Sequence, residues 1–220
     1  MDLKHPAIPY VLPMAVFMVF LALGDFLGLG ALEYPFRVVV LSAVIWFFAR
    51  PALDLRMPHW TWSVLLGLAT FVVWVAPDVL FPGYRSHWLF ENFLTGKVAS
   101  SVAEPLRSNT MVLVSRAIRA SLIVPIVEEL FFRGWLMRWL IKNDFLSVKL
   151  GTYATDAFWI TAAMFSVEHG PYWEVGLLTG VAWNWWMVKT KSLGDCILVH
   201  AVTNAALSAY TVFGGHWQYW

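Results

Sequence analysis

The sequence predicts an all-α polytopic membrane protein, with about seven or eight transmembrane helices and an interfacial helix, on three observations. Of 220 residues, 60% are hydrophobic and 13% charged, against about a quarter charged in soluble domains, and the mean hydropathy is +0.65. Several apolar runs approach the ~20 residues that cross a bilayer core. Fourteen tryptophans, many beside charged or turn residues, have the distribution of interfacial aromatic belts. A formal charge of +1 offers no basic surface to hold a nucleic acid. The single cysteine, Cys196, excludes an intramolecular disulfide and a thiolate-rich metal site, and is read as a small buried hydrophobe. No long polar linker, repeat or low-complexity tract divides the sequence, so residues 1–220 are expected to form a single membrane domain.

Residues 1–6 are too short and too weakly basic for a targeting region, and the apolar run 8–32 exceeds the ~7–15 residues of a signal-peptide core. It is expected to remain as a first membrane helix, with Asp25, Gly28 and Gly30 marking its approach to the interface. A second span covers 35–49 and ends at Arg50-Pro51; residues 52–59, with Asp54 and Arg56, read as a loop. Trp60–Leu80 is a third span, closed by the turn-forming Phe81-Pro82-Gly83. Between 84 and 109, Arg85, Glu91, Lys97, Glu104 and Arg107 interleave with Trp88, Phe90, Phe93 and Val98. That is the pattern of an amphipathic helix lying on the bilayer, with a solvated loop as the alternative.

Residues 110–142 are long for one span. Pro125 is expected to kink the run or end a helix and to leave a carbonyl near Ser121 in need of a partner. An approach helix carrying Arg116 and Arg119 would then precede an acidic one. Segments 152–169, 175–188 and 193–213 supply the last three spans, separated by Gly170-Pro171 and by 189–192. The distribution of Lys and Arg, Lys4 among them, places the N-terminus in the cytoplasm by the positive-inside rule.

Three constellations interrupt these apolar runs. In VPIVEELFFRGWLMRW, residues 124–139, Glu129 and Arg133 stand one above the other at i,i+4 in the favoured acid-first order. Glu128, about 100° around the helix, is left without an intrahelical partner and is free to face a polar cavity as a proton-transfer group. A buried ion cluster that locks helices together is the competing reading. In the second constellation Phe165 and His169 share a face at the end of a helix, so the ring can wall the site that His169 enters. Imidazole is the ordinary carrier of a proton near neutral pH, and a helix-end cap is the alternative. Glu168 is one residue off this face and is read as interfacial. The third places His200 and Asn204, again i,i+4, inside an apolar span. Two donors on one face within lipid need partners or a cavity; aimed at one point they would resemble an oxyanion hole, and a helix–helix hydrogen bond is the simpler role. Polar groups so concentrated in three helices argue for one shared site.

Glu128-Glu129-x-x-x-Arg133, Phe165-x-x-x-His169 and His200-x-x-x-Asn204, in this order and within 124–209, resemble the three-motif signature of the CAAX prenyl protease and bacteriocin-processing (CPBP, or Abi) family. In its compact size and tryptophan-rich helices the chain is also similar to the subgroup found beside exosortase systems. The resemblance implies a glutamate-type intramembrane endopeptidase of the inner membrane, acting without a cofactor on a membrane-associated protein or peptide. It implies that Glu128 and His169 activate water, that His200 and Asn204 bind the oxyanion, and that Glu129 and Arg133 orient the acidic helix. Two rival readings stand beside it: a zinc peptidase with Glu128, His169 and His200 as ligands, and a non-catalytic scaffold or transporter whose buried acids and histidines form an ion path.

Overall fold

Lipid supplies no partner for backbone N–H and C=O groups, so long apolar runs fold as helices that satisfy their own backbones. The computed structural model describes residues 5–23 and 28–220 and is a helical bundle, without a β-strand among those residues. Lys4 and Asp25 lie outside the described residues. Helix α1 (Ile8–Leu23) is shorter than the 8–32 run expected. Gly28 and Gly30 hold φ of +62° and +53°, a conformation that glycine adopts at no steric cost, and a tight turn leads into α2 (Glu33–Val44).

Helix α3 (Trp60–Leu80) has the span expected of it. A 30-residue rod, Thr110–Trp139, contains α4 (Thr110–Ile118), α5 (Val124–Glu129) and α6 (Met137–Trp139). It is followed by α7 (Thr155–Val167), α8 (Trp173–Thr190) and α9 (Leu193–Gly214). Counting the rod once, the described residues form seven helical rods. Four segments, Gly30–Ala52, Trp60–Leu80, Thr110–Trp139 and Leu193–Gly214, are long and apolar enough to cross a membrane. The chain is an integral membrane protein.

The interfacial helix expected between 84 and 109 is absent. The segment is a loop with short turns at Tyr84–Ser86 and Glu104–Leu106. Asn92 explains part of this: its side-chain oxygen accepts from the N–H of Leu94 and Thr95 at 2.8 and 3.2 Å, while Thr95 Oγ1 donates to Phe90 O at 2.7 Å. Side chains that bond the local backbone compete with a helix for the same groups. The loop is pinned to the bundle by Arg85, only 5% exposed, whose guanidinium meets Asp78 at 3.0 Å, Glu174 at 2.8 Å and the Pro171 carbonyl at 2.8 Å, and lies 3.9 Å from the Tyr172 ring. Tyr219 also donates to Asp78, at 2.7 Å; burial first, then this bond, pushes its phenol above the usual range. This network closes the end of the bundle beside Gly170.

The tryptophans divide in two. Trp46, Trp60, Trp62, Trp88 and Trp185 are exposed, as a belt requires, whereas Trp74, Trp183 and Trp186 are buried. These three indoles donate their N–H across a helix pair: Trp74 to Thr179 (2.9 Å), Trp183 to Thr70 (3.3 Å) and Trp186 to Ser63 (3.2 Å). These three bonds tie α3 to α8. Cys196 is fully buried in the main core with Val127, Leu130, Phe165 and Val199.

Helices α3 and α9 meet at Gly67. A Cβ there would stand 2.8 Å from both the Val199 carbonyl and Val202 Cβ, and Thr203 Oγ1 donates to the Gly67 carbonyl at 2.9 Å. Gly67→Val is therefore expected to destabilise the bundle by overpacking, about 1–3 kcal/mol or more, read as a lower unfolding temperature in detergent. An unchanged transition would refute this close approach.

Candidate active site

The rod that carries Glu128 departs from α-geometry twice, in wider π-type turns at Arg119–Ile123 and Leu130–Leu136, features often found at functional sites. At the first, the N–H of Val124 bonds the Arg119 carbonyl. In this register the Ala120 carbonyl would take the N–H of residue 125, but that residue is proline and has none. Asn204 Nδ2 fills the vacancy, donating to Ala120 O at 2.9 Å. The carbonyl expected to be orphaned near Ser121 is therefore that of Ala120, and its partner comes from α9. One amide hydrogen of Asn204 remains.

At the second turn the ion pair sits at the centre of the fold. Arg133 Nη1 lies 3.0 Å from Glu129 Oε1, and neither side chain is exposed. Arg133 Nε donates to Asn184 Oδ1 at 2.9 Å, and Asn184 Nδ2 donates to the Phe158 carbonyl at 2.8 Å. The guanidinium carbon is 4.7 Å from the Phe165 ring centroid and 5.7 Å from those of Phe132 and Trp183. Asn184 is a residue that sequence reasoning missed. It is the one amide side chain in α8, and a lone amide between two tryptophans in an apolar helix was the available signal.

Both histidines are held by their Nδ1 atoms. His169 Nδ1 is 2.7 Å from the Phe165 carbonyl; a carbonyl only accepts, so the proton sits on Nδ1 and Nε2 keeps its lone pair. His200 Nδ1 is 3.1 Å from Glu129 Oε1, while its Nε2 is 3.9 Å from Glu128 Oε2. Glu129 thus serves two partners, Arg133 and His200, and only the first is visible in the i,i+4 spacing. Glu128 is 6% exposed, and its Oε2 has no hydrogen-bond partner in the protein.

Glu128, His169, His200 and Asn204 line one cavity of about 200 Å³, together with Trp74, Ala120 and two arginines of the rod, Arg116 and Arg119. The structure thus gathers four residues from three segments of chain. Phe165 does not line this cavity. Its ring stands 4.7 Å behind His169 and 5.5 Å from Trp183, so it supports the imidazole from the rear. Glu168 is exposed at the end of α7. Among the described residues no group of three or more His, Cys, Asp or Glu side chains is arranged to hold a metal ion.

Residues 110–206 match the family model described as Rce1-like, type II CAAX prenyl endopeptidase. The matched segment begins at α4 and takes in all three motifs. No curated protein and no solved structure matches the chain.

Proposed function

Over residues 110–206 the chain is of the CAAX protease (CPBP) family, and from that premise we propose that it is an intramembrane endopeptidase of the CAAX type, resident in a bacterial inner membrane, that hydrolyses a peptide bond of a membrane-associated protein or peptide without a metal. The observation that carries this reading is the convergence of Glu128, His169, His200 and Asn204 on one cavity.

Each role follows from a free atom. The unpartnered Oε2 of Glu128 and the lone pair on His169 Nε2 are the acceptors for a proton of water. As that proton moves to Glu128, the hydroxide adds to the scissile carbonyl, and the new oxyanion meets the spare amide hydrogen of Asn204. His200 Nε2 bears no proton while Nδ1 donates to Glu129, so His200 joins the oxyanion hole only as an imidazolium. The Glu129 carboxylate 3.1 Å away stabilises that form. Collapse of the tetrahedral intermediate breaks the C–N bond, and the proton on Glu128 passes to the leaving amine. Glu129 is in this account a positioning residue for His200 as well as the counter-charge of Arg133.

Membranes with and without the protein, compared by terminal proteomics, should reveal a new cut, and a peptide spanning that cut then serves as substrate. Asn204→Ala is expected to lower kcat by about 10²–10³, the usual cost of one oxyanion donor, with a smaller change in KM. Activity should survive metal chelators. Loss of activity on chelation, restored by zinc, would replace this mechanism with the metal one.

A further inference from the structure

We propose that the turn at residues 92–96, in the loop that follows α3, is a bilayer anchor whose Phe93 and Leu94 side chains enter the boundary between lipid headgroups and acyl chains. Phe93 is 100% and Leu94 89% exposed, yet the turn that carries them is firmly built. Asn92 Oδ1 accepts from the N–H groups of Leu94 and Thr95, the Asn92 N–H donates to Thr95 Oγ1 at 3.1 Å, and the Gly96 N–H donates to the Asn92 carbonyl at 2.9 Å. The loop is also seated on the bundle: Arg85 bonds the Pro171 carbonyl at 2.8 Å, and Trp173 Nε1 donates to the Leu89 carbonyl at 3.0 Å. A Cβ on Gly170 would stand 2.7 Å from the Thr95 carbonyl oxygen, so the turn presses on the residue that follows His169.

Large apolar side chains held rigidly away from the core mark a contact surface, and three observations make lipid the occupant. A backbone that enters lipid must satisfy its own polar groups, and the N–H groups of Asn92, Leu94, Thr95 and Gly96 are all bonded within the turn; a partner in water makes no such demand. The charges lie where headgroups would meet them. Glu91 is turned inward, its Oε1 accepting from the N–H of Val98 at 2.8 Å, whereas Lys97 is exposed and has no ion pair among the described residues. A lysine beside an apolar tip reaches back to phosphates, and the exposed Trp88 is a side chain of the interface. The apolar surface is also continuous with the lipid-facing helices: Leu80 and Phe81 at the end of α3 and Val167 at the end of α7 are exposed, and Gly170, on which the turn rests, follows Val167 closely in the chain. The bilayer contact expected of a helix in this stretch falls instead to a turn.

Because Cys196 is buried, an introduced cysteine is the accessible thiol. The test is a nitroxide spin label on Leu94→Cys, and separately on Phe93→Cys, with the full chain in nanodiscs of phosphatidylcholine and phosphatidylglycerol. Relaxation of the label by oxygen, which concentrates in hydrocarbon, is compared with relaxation by a water-soluble nickel chelate. For side chains about 5–10 Å into the headgroup–acyl boundary, the oxygen response is expected to exceed the nickel response by about twofold. A label on Val72→Cys, exposed within α3, should show a larger ratio. A nickel response equal to or above the oxygen response overturns the anchor and places the tip in water. Weak responses to both also overturn it, because the tip is then covered by protein, a second copy of this chain in the disc. Neither replacement opens a cavity, since both side chains are exposed, and the two labels answer independently. The readout does not involve proteolysis, so it stands or falls apart from the endopeptidase reading.

Discussion

Glu128→Ala is expected to abolish cleavage, by 10³-fold or more, while the protein still inserts and folds. General acid–base groups contribute about 10²–10⁴, and in the proposed mechanism the same carboxylate both takes the proton from water and returns it to the leaving amine. Folding is spared for a structural reason: the acid that holds helices together is Glu129, which bonds Arg133 and His200, whereas Glu128 Oε2 bonds nothing. Removing a buried carboxylate without a partner relieves a desolvation cost, so the unfolding temperature in detergent should be equal or higher. Cleavage at the native rate by Glu128→Ala would dismiss the mechanism. A collapsed unfolding transition would show that Glu128 is structural.

Arg133→Ala is expected to have the opposite signature, with loss of the folded protein itself. The side chain is fully buried and joins the rod to α8 through Asn184 and, by way of Glu129, to α9. Deleting one partner of a buried ion pair leaves the other charge uncompensated, at about 3–5 kcal/mol. Arg133→Lys should rescue little, because one ammonium cannot satisfy Glu129 and Asn184 from a planar fork. Monodispersity on gel filtration and unfolding temperature measure both variants. Native values for Arg133→Ala would contradict the web described around it. Glu129→Gln combined with Arg133→Met, which removes both charges, should fold better than Arg133→Ala alone.

Much of the helical layout is legible in hydropathy and turn residues. Trp60–Leu80 reads directly because its ends are marked by a loop and by Phe81-Pro82-Gly83, and α9 because Ser192 caps its start, accepting from the N–H of Asp195. The segment 84–109 misleads because alternating charge and aromatic residues fit an interfacial helix and a folded loop equally well; the Asn92 turns that decide between them are short-range bonds with no periodicity. Run 8–32 misleads because hydropathy does not register where left-handed glycines turn the chain.

At the site, i,i+4 spacing identifies the Glu129–Arg133 pair, since that contact is local. The contacts to His200 and Asn184 cross from one helix to another and leave no spacing to read. The same holds for Asn204: its amide facing lipid depth is visible as an anomaly, but its partner emerges only from the π-type turn, which depends on how the rod packs. Phe165 illustrates the limit of face arguments, since sharing a face with His169 places it beside the imidazole and not inside the cavity.

The crossing at Gly67 bears on how a substrate reaches the water. With Cβ-free backbone pressed against Val199 and a threonine hydroxyl bridging the gap, α3 and α9 form a seam that cannot part without breaking its own zipper, and the indole ties from α8 extend that sealed wall. The cavity is also bounded by Phe17 and Leu21 of α1, the first of them packed in the main core. Helices α3 and α9, which line the cavity at Trp74, His200, Asn204 and Leu207, are thus locked to each other.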